Sequence, residues 1–326
     1  MTRVTRFLLF AAGALGALAA AGIGYVYAAY PKVGAPPALA VARSAEALER
    51  GRYLAENASG CIACHSQRDW ERFAAPVVPG SEGKGGERFG EESGLPAAIY
   101  AKNITPAALG AWSDGEIARA FTSGVSKDNS PLFPLMPYLN YSELCERDVA
   151  ALVVYLRALK PVENEVPKSG IGFPMSLIVR TLPAPARPPP CPSPSDLLAT
   201  GAYLAKIGGC ADCHTPHNHG KPVPGMDYAG GFAFGPLPNG GGVVRASNIT
   251  PEVETGIGAW SKSQFLKRFK SFAAASAIVP VKPGAFNTVM PWTAYAGMTE
   301  DDLGAIYDYL RTLKPVKNAV ERWQAP

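Results

Sequence analysis

Hydrophobic positions are distributed in two ways along this chain. Residues 7–30 carry no charge, whereas later segments show the i, i+3, i+4, i+7 apolar spacing of an amphipathic helix. Ser113 with Glu116, and Ser261 with Gln264, have the spacing of a capping box that opens a shorter helix. The amphipathic spacing occurs twice, at Val149, Leu152, Val153 and Leu156 and at Leu303, Ile306, Tyr307 and Leu310.

The uncharged N-terminal stretch is long enough to cross a membrane. As a helix its residues extend about 36 Å, more than the roughly 30 Å hydrocarbon core of a bilayer. Arg3 and Arg6 precede it, which keeps the N-terminus in the cytoplasm and places the rest on the periplasmic side of the cytoplasmic membrane. A signal peptide cleaved near "VYA" at 26–28 is the alternative. We expect a single-pass anchor or signal peptide over residues 1–30.

Four segments of the chain occur twice in the same order. The offset between the copies is 150 residues at Gly51 and Gly201 and 154 residues at Met136 and Met290. This repetition predicts two copies of one domain. The matched pairs are "GRYLAENASGCIACH" at 51–65 with "GAYLAKIGGCADCH" at 201–214, "NITP" at 103–106 with 248–251, "LMPY" at 135–138 with "VMPW" at 289–292, and "DVAALVVYLRALKPV" at 148–162 with "DLGAIYDYLRTLKPV" at 302–316.

The domain boundaries follow from the repeats and from composition. One domain is expected over residues 40–165 and the other over 196–326. Between them, residues 166–195 include "PAPARPPPCPSPS", which indicates an extended proline-rich linker rather than a folded unit. With 34 glycines and 31 prolines, both domains should be rich in loops.

The net charge and the distribution of basic residues limit the kinds of binding partner that the sequence indicates. The net charge of +4 is too small to indicate nucleic acid binding. Outside the two predicted domains all charges are basic, including Lys168, Arg180 and Arg187 in the linker. A basic group in the second copy could dock an acidic partner or simply form a solvated helix face; it comprises Lys262, Lys267, Arg268 and Lys270.

Each copy contains a Cys-x-x-Cys-His motif, the signature of covalent haem c attachment. Residues i, i+3 and i+4 share one face of a helical turn, so two thiols can bond the haem vinyl groups beside an imidazole that binds iron. A redox dithiol or half a zinc site would not require the histidine in both copies. The motifs predict two covalently attached haem c groups, held by Cys61, Cys64 and His65 and by Cys210, Cys213 and His214.

The second axial ligand must approach from the other side of the ring. His217 and His219 follow His214 too closely to reach it, and we expect both to be exposed loop residues. Met136 and Met290 are the methionines in matched positions, and a thioether ligand raises the reduction potential. We therefore predict His65 with Met136, and His214 with Met290, as iron ligands.

Two cysteines lie outside the motifs. Cys145 stands where the second copy has Thr299, a better N-cap residue. In an oxidising compartment a remaining pair is most simply a disulfide. Cys145 and Cys191 are expected to form one, provided that their Cα atoms approach within about 7 Å; free thiols are the alternative.

Both copies resemble class I c-type cytochromes. The segments "NITP", "GAW", "MP(Y/W)" and "YLR.LKPV" resemble more narrowly the cytochrome c subunits of membrane-bound periplasmic dehydrogenases for alcohols, gluconate and aldehydes. The resemblance covers residues 44–165 and 196–317. The fold class expected is mainly α: two tandem class I cytochrome c domains, loop-rich, with an N-terminal transmembrane helix.

The resemblance also implies roles for individual residues. Asn103, Trp112, Asn248 and Trp260 would lie near the haem propionates, although the tryptophans could simply pack in the core. The first and last helices of each domain would cross, with Gly51 close to Tyr155 and Leu156, and Gly201 close to Tyr309 and Leu310.

Three functions are compatible with these features. We expect an electron carrier, not an enzyme, that accepts electrons from a periplasmic dehydrogenase and passes them to quinone, a soluble cytochrome or an oxidase. A dihaem subunit of a terminal oxidase or other respiratory complex is the alternative. A dihaem peroxidase or thiosulfate-oxidising enzyme needs an open axial position, which two methionine ligands would fill.

Overall fold

The computed structural model describes residues 2–39, 41–90, 95, 97–218 and 220–326, and it is mostly helical, as expected. The N-terminal helix α1 spans Arg3–Ala29. The first repeat contains α2 (Ala45–Tyr53), α3 (Cys61–Cys64), α4 (Pro106–Leu109), α5 (Asp114–Ser123), α6 (Tyr138–Tyr141) and α7 (Glu146–Ala158). After α8 (Met175–Thr181), the second repeat contains α9 (Leu197–Ile207), α10 (Cys210–His214), α11 (Lys262–Lys270), α12 (Trp292–Tyr295) and α13 (Glu300–Thr312).

The strands are short and lie in the loops between these helices or, in one case, after the last helix. In the first repeat β1 (Arg88–Phe89) pairs antiparallel with β2 (Ile99–Tyr100). In the second, β3 (His217–Asn218) pairs with β4 (Lys221–Pro222). A three-stranded antiparallel sheet has the order β5 (Ala233–Phe234), β6 (Val243–Arg245), β7 (Trp323–Gln324).

Helix α1 has the length and composition of a membrane span. It carries no charge after Arg6, and none of its residues is buried against the rest of the protein. Thr2 caps its N-terminus by accepting a hydrogen bond from the Thr5 amide. Such a helix fits either an anchor or a signal sequence.

The first and last helices of each repeat cross at a glycine. A Cβ at Gly51 would overlap the Ala151 carbonyl oxygen and lie 2.8 Å from the Tyr155 Cβ. A Cβ at Gly201 would overlap the Ala305 carbonyl oxygen and lie 2.9 Å from the Tyr309 Cβ. The expected crossings are therefore present, with α2 against α7 and α9 against α13.

The helix ends follow the capping signals of the sequence. Both predicted capping boxes are present, at the start of α5 and of α11. Thr299 caps α13 through the Asp302 amide, at 3.1 Å, whereas Cys145 at the start of α7 makes no side-chain capping bond. The Cys145 sulfur is instead bonded to Cys191.

One hydrophobic core runs through both repeats. Leu54 and Ala55 of the first repeat belong to the same buried cluster as Leu204 and Ala205 of the second. Helix α12 packs against the turn that follows α2, and α6 packs reciprocally against α9. Each fully buried leucine stabilises the fold by about 1.5–3 kcal/mol. The repeats therefore support each other directly rather than through the linker alone.

The first repeat holds one residue more than the second between its tyrosine and its first haem-motif cysteine. Residues Leu54–Ala58 form a π-helical turn, whereas α9 remains α-helical up to Ile207. A π turn absorbs a single inserted residue without breaking the helix. The extra residue therefore lies directly before the first Cys-x-x-Cys-His motif.

The linker is more ordered than its composition predicted. It contains helix α8, which packs against α1. The expectation of a purely extended linker was wrong for residues 175–181, "MSLIVRT", which contain no proline and are mostly apolar.

The predicted disulfide between Cys145 and Cys191 is confirmed. Their Cα atoms are 5.0 Å apart, within the range that a disulfide requires. The bond closes a 46-residue separation and ties the end of the linker to the start of α7. It explains the loss of the N-cap residue at this position.

Candidate functional site

Each Cys-x-x-Cys-His motif starts a short helical turn after a left-handed glycine. Gly60 (φ 66°) precedes α3, and Gly209 (φ 65°) precedes α10, a conformation that glycine adopts without strain. The helical turn places the two cysteines of each motif on one face. All four thiols are free: Cys61, Cys64, Cys210 and Cys213.

The motif histidines have the same hydrogen bond in both repeats. His65 Nδ1 lies 2.7 Å from the Lys102 carbonyl oxygen, and His214 Nδ1 lies 2.7 Å from the Ser247 carbonyl oxygen. A carbonyl only accepts, so Nδ1 donates and Nε2 keeps its lone pair for a metal. Desolvation lowers the pKa of both histidines, against the backbone hydrogen bond, which raises it.

Asn103 and Asn248 directly follow these accepting carbonyls. In the first repeat the Asn103 amide donates to the Val162 carbonyl (2.8 Å) and accepts from the Thr105 amide (2.9 Å) and hydroxyl (2.8 Å). Asn248 makes the same bonds to Val316 and Thr250. Both side chains thus connect the loop that orients the histidine to the segment after the last helix of the repeat, α7 or α13. Their contact with haem propionates stays a prediction.

The matched tryptophans differ in burial. Trp112 packs against the shared core, as the simpler interpretation proposed. Trp260 is 38% exposed, so core packing does not account for it. Their expected position near the propionates also stays a prediction.

Met136 and Met290 occupy equivalent turns. The Met136 carbonyl accepts from the Tyr138 amide at 2.7 Å, and the Met290 carbonyl accepts from the Trp292 amide at 2.8 Å. Both side chains are half-buried. Met298, which has no repeat partner, is fully buried in the core.

A tyrosine links each methionine segment to the haem motif of its own repeat. Tyr141 in α6 donates to the Ser59 carbonyl, and Tyr295 in α12 donates to the Gly208 carbonyl, both at 2.6 Å. Each accepting carbonyl lies two residues before the first motif cysteine. The sequence repeat contained both tyrosines, but their role depends on tertiary contacts.

Two further tyrosines cross between the repeats in a reciprocal pattern. Tyr53 of α2 donates to Asp302 of α13 and accepts from the Thr299 amide at 3.3 Å. Tyr203 of α9 donates to Asp148 of α7 at 2.8 Å and accepts from the Cys145 amide at 3.4 Å. The repeats are therefore related by an approximate two-fold arrangement at this contact.

Asp148, unlike Asp302, forms an ion pair with Arg50. Its side chain is fully buried and accepts from Arg50 Nε at 3.0 Å and Nη2 at 2.7 Å. Burial raises its pKa, but the Arg50 hydrogen bonds and charge outweigh burial, so the pKa is lowered overall. The position equivalent to Arg50 in the second repeat is Thr200.

Replacing Asp148 with asparagine is expected to destabilise the protein by about 2–3 kcal/mol at pH 7, because Arg50 loses its buried carboxylate partner. The loss is limited because the Arg50 side chain is partly exposed and can still be hydrated. A lowered carboxyl pKa contributes stability above the unfolded value, about 3.9, and loses it as pH falls through the folded value. The variant should therefore lose less stability on acidification. Denaturant unfolding at pH 7 and in steps below pH 4 measures both effects. Asp302→Asn, which removes a carboxylate hydrogen-bonded to tyrosine alone, is the control; equal losses in both variants would contradict the ion pair's role.

In the part of the chain that the structure describes, no three or more His, Cys, Asp or Glu side chains form a group that could hold a metal ion. His217 is half-buried in β3, and its ring lies edge-on to Phe232 at 5.2 Å. The expectation of an exposed loop residue was therefore wrong for His217, because the β3–β4 pairing orders this segment. His219 lies outside the described residues.

Most basic residues of α11 contact other residues of the protein. Lys262 pairs with Asp308 at 2.6 Å, Lys270 donates to the Ala296 carbonyl at 3.1 Å, and the Arg268 guanidinium lies 4.8 Å from the Trp292 ring. These contacts favour a structural role over a free docking patch.

Comparison with known proteins gives a consistent set of relatives, although no protein family model matches the chain. The cytochrome c subunit of alcohol dehydrogenase (quinone) from Gluconacetobacter polyoxogenes is 31% identical over 82% of this chain and 56% of its own length. The gluconate 2-dehydrogenase cytochrome c subunit from Pantoea cypripedii is 30% identical over 82% and 59%. A diheme cytochrome c-type protein from Cereibacter sphaeroides is 30% identical over 60% and 64%. The chain thus spans little more than half the length of the dehydrogenase subunits that it matches.

Proposed function

Because the chain is related to the cytochrome c subunits of alcohol, fructose and gluconate dehydrogenases, we propose that it is a membrane-tethered dihaem cytochrome c. It transfers electrons between a periplasmic dehydrogenase and the respiratory chain. The observation that carries this proposal is the pair of motif histidines, each with Nδ1 2.7 Å from a carbonyl and Nε2 left for iron. The relatives are electron-transfer subunits rather than catalytic ones, which favours a carrier over a peroxidase.

The residues of both motifs fit covalently attached haem c. In each repeat two free thiols share one face of a helical turn, next to a histidine whose orientation is set by a backbone carbonyl. Cys61, Cys64 and His65 hold the first haem, and Cys210, Cys213 and His214 hold the second. Bound haem supplies an iron centre that changes by one electron; the chain sets its ligands and access.

Met136 and Met290 would supply the second protein ligand to each iron. Tyr141 and Tyr295 support it, because their hydrogen bonds fix each methionine segment relative to the motif of the same repeat. With a methionine bound in each repeat, neither iron would offer an open site to a substrate. This arrangement suits electron transfer.

Contacts between the repeats support electron exchange between the two haem sites of one chain. Asn140, near Met136, donates to Asp212 within the second motif at 2.6 Å. The methionine segment of the first repeat therefore contacts the attachment motif of the second.

A dehydrogenase is the proposed redox partner, and helix α1 is the proposed membrane anchor on the periplasmic side. The names of the relatives favour a dehydrogenase over a terminal oxidase. The apolar surface of α1 that α8 leaves uncovered fits lipid.

Purification of the full chain from membranes in mild detergent tests this function. We expect two covalent haems per chain with low-spin ferric spectra, a copurifying dehydrogenase, and reduction of both haems when its substrate is added. The variant Cys210→Ala with Cys213→Ala should carry one haem. High-spin ferric haem in the intact chain would favour the enzyme alternative, and copurification with an oxidase alone would replace the dehydrogenase as partner.

A further inference from the structure

Helix α8 and the residue pair before it expose apolar side chains beside the end of α1. Phe173 is 72% exposed, Ile178 48% and Leu182 36%, whereas Val179 is buried. Ile178 and Leu182 are four residues apart and so lie on one face of the helical turn. The described part of the protein leaves this apolar face uncovered. Its exposure to water would be unfavourable.

Arg180 fixes α8 to the C-terminal end of α1. Its Nη2 donates to the Tyr30 carbonyl at 3.0 Å and to the Tyr27 carbonyl at 3.3 Å. Its guanidinium also lies 4.8 Å from the centre of the Tyr27 ring. A cation at the last carbonyls of a helix is favoured by the helix dipole. The position of α8 along the axis of α1 is thereby set.

This contact places α8 at the level of the membrane surface. Helix α1, at about 1.5 Å per residue, is longer than the hydrocarbon core of roughly 30 Å, so its final turn reaches the interface. Tyr25 and Tyr27 are exposed on that turn, and tyrosine is enriched at membrane interfaces. The side chains on the exposed face of α8 are therefore near the lipid headgroups.

The charge around α8 fits an anionic lipid surface. The linker, residues 166–195, carries Lys168, Arg180 and Arg187 and no acidic residue. Lys32 directly after α1 adds a further positive charge, 4.9 Å from the Tyr30 ring. Basic residues beside apolar ones are typical of segments that bind the surface of anionic membranes.

Both sides of this segment are tied to the first repeat. The Tyr100 amide donates to Ser169 Oγ at 3.1 Å, upstream of α8. Downstream, the Arg187 amide donates to the Ser142 carbonyl at 2.8 Å, and Cys191 is bonded to Cys145. A fixed position of α8 in the membrane surface would therefore orient the first repeat.

We propose that residues 173–182 form an interfacial membrane segment, whose apolar face inserts among the headgroups of an anionic bilayer and orients the first haem domain. The proposal rests on the membrane anchoring by α1 that belongs to the proposed function. The occupant is lipid, because the position of α8 follows from the membrane-spanning helix itself and the surrounding charge is complementary to anionic headgroups.

Site-directed spin labelling of the full haem-loaded chain tests this proposal. Single cysteines replace Ile178 and Phe173, Leu15 inside α1 as a reference, and Val253, an exposed apolar residue of the second repeat, as a control. Each labelled chain is placed in nanodiscs of phosphatidylethanolamine and phosphatidylglycerol. Collision with oxygen, which enters lipid, and with an aqueous nickel chelate, which does not, gives the depth of each label.

Labels at 178 and 173 are expected about 5–10 Å below the headgroup surface, with the label at 15 deeper and the label at 253 in water. If the label at 15 lies in the bilayer but those at 178 and 173 match the label at 253, the interfacial segment is refuted while the anchor stands. Shielding of 178 and 173 from both reagents would mean cover by protein and also overturn the proposal. A label at 15 accessible to the nickel chelate would refute the anchor itself.

Discussion

Leucine in place of Met136 or Met290 is expected to convert one of the two haems to a high-spin ferric form and to lower its reduction potential markedly. The thioether sulfur stabilises ferrous iron, and axial ligands set haem potentials over a range of about 0.8 V. Leucine keeps the volume of methionine but cannot bind iron. Optical redox titration of the purified chain should show one component moving to lower potential in each single variant and both components moving in the double variant.

Met298→Leu is the matched control for this experiment. Met298 is a fully buried core methionine without a repeat partner, and the same substitution costs less than about 1.5 kcal/mol in a packed core. Its spectrum and potentials should remain those of the unaltered protein. If Met136→Leu and Met290→Leu also leave both haems low-spin, the methionines are not ligands and do not close the haem sites to substrates.

Alanine at Gly51 or Gly201 is expected to destabilise the protein strongly, because each glycine lies where two helices cross. The new Cβ would overlap a backbone carbonyl oxygen, of Ala151 or of Ala305, and a backbone cannot rotate away as a side chain can. Overpacking typically costs about 1–3 kcal/mol and more where the neighbour is rigid. Thermal unfolding followed by circular dichroism, with the yield of haem-loaded protein, measures the effect.

Gly170→Ala is the control for the crossing glycines. A Cβ at Gly170 would meet no atom within 4 Å, and its backbone is not left-handed. The control should unfold within a few tenths of a kcal/mol of the unaltered chain or slightly above it. Similar behaviour of Gly51→Ala and Gly170→Ala would mean that the helices cross less closely than the structure places them.

A shared core has a consequence for the proposed electron carrier. The repeats are joined by reciprocal tyrosine bonds, by Asn140 on Asp212, and by a continuous set of buried residues. Two haems bound to the motifs of the proposed carrier would keep a constant separation, so the fold would set the rate of electron transfer between them. A flexible two-domain carrier would have to reach that geometry by diffusion.

Local signals in the sequence were sufficient for many features. Helices α7 and α13, the capping boxes at Ser113 and Ser261 and the apolar helix α1 all depend on residues within a few positions of one another. The disulfide between Cys145 and Cys191 followed from elimination among six cysteines together with the missing N-cap residue. The haem motif is equally local, because its chemistry needs one helical turn.

Tertiary structure decided how the repeats meet. Tyr53 bonds Asp302 across 249 positions, and Tyr203 bonds Asp148 across 55; no periodicity in the chain indicates such partners. The same holds for α8 against α1 and for His217 in a strand, both of which the sequence placed in extended or loop segments. The motifs and helices of each repeat were determined by nearby residues, whereas the contact between repeats and the position of the linker arise from packing between surfaces that are distant in the chain.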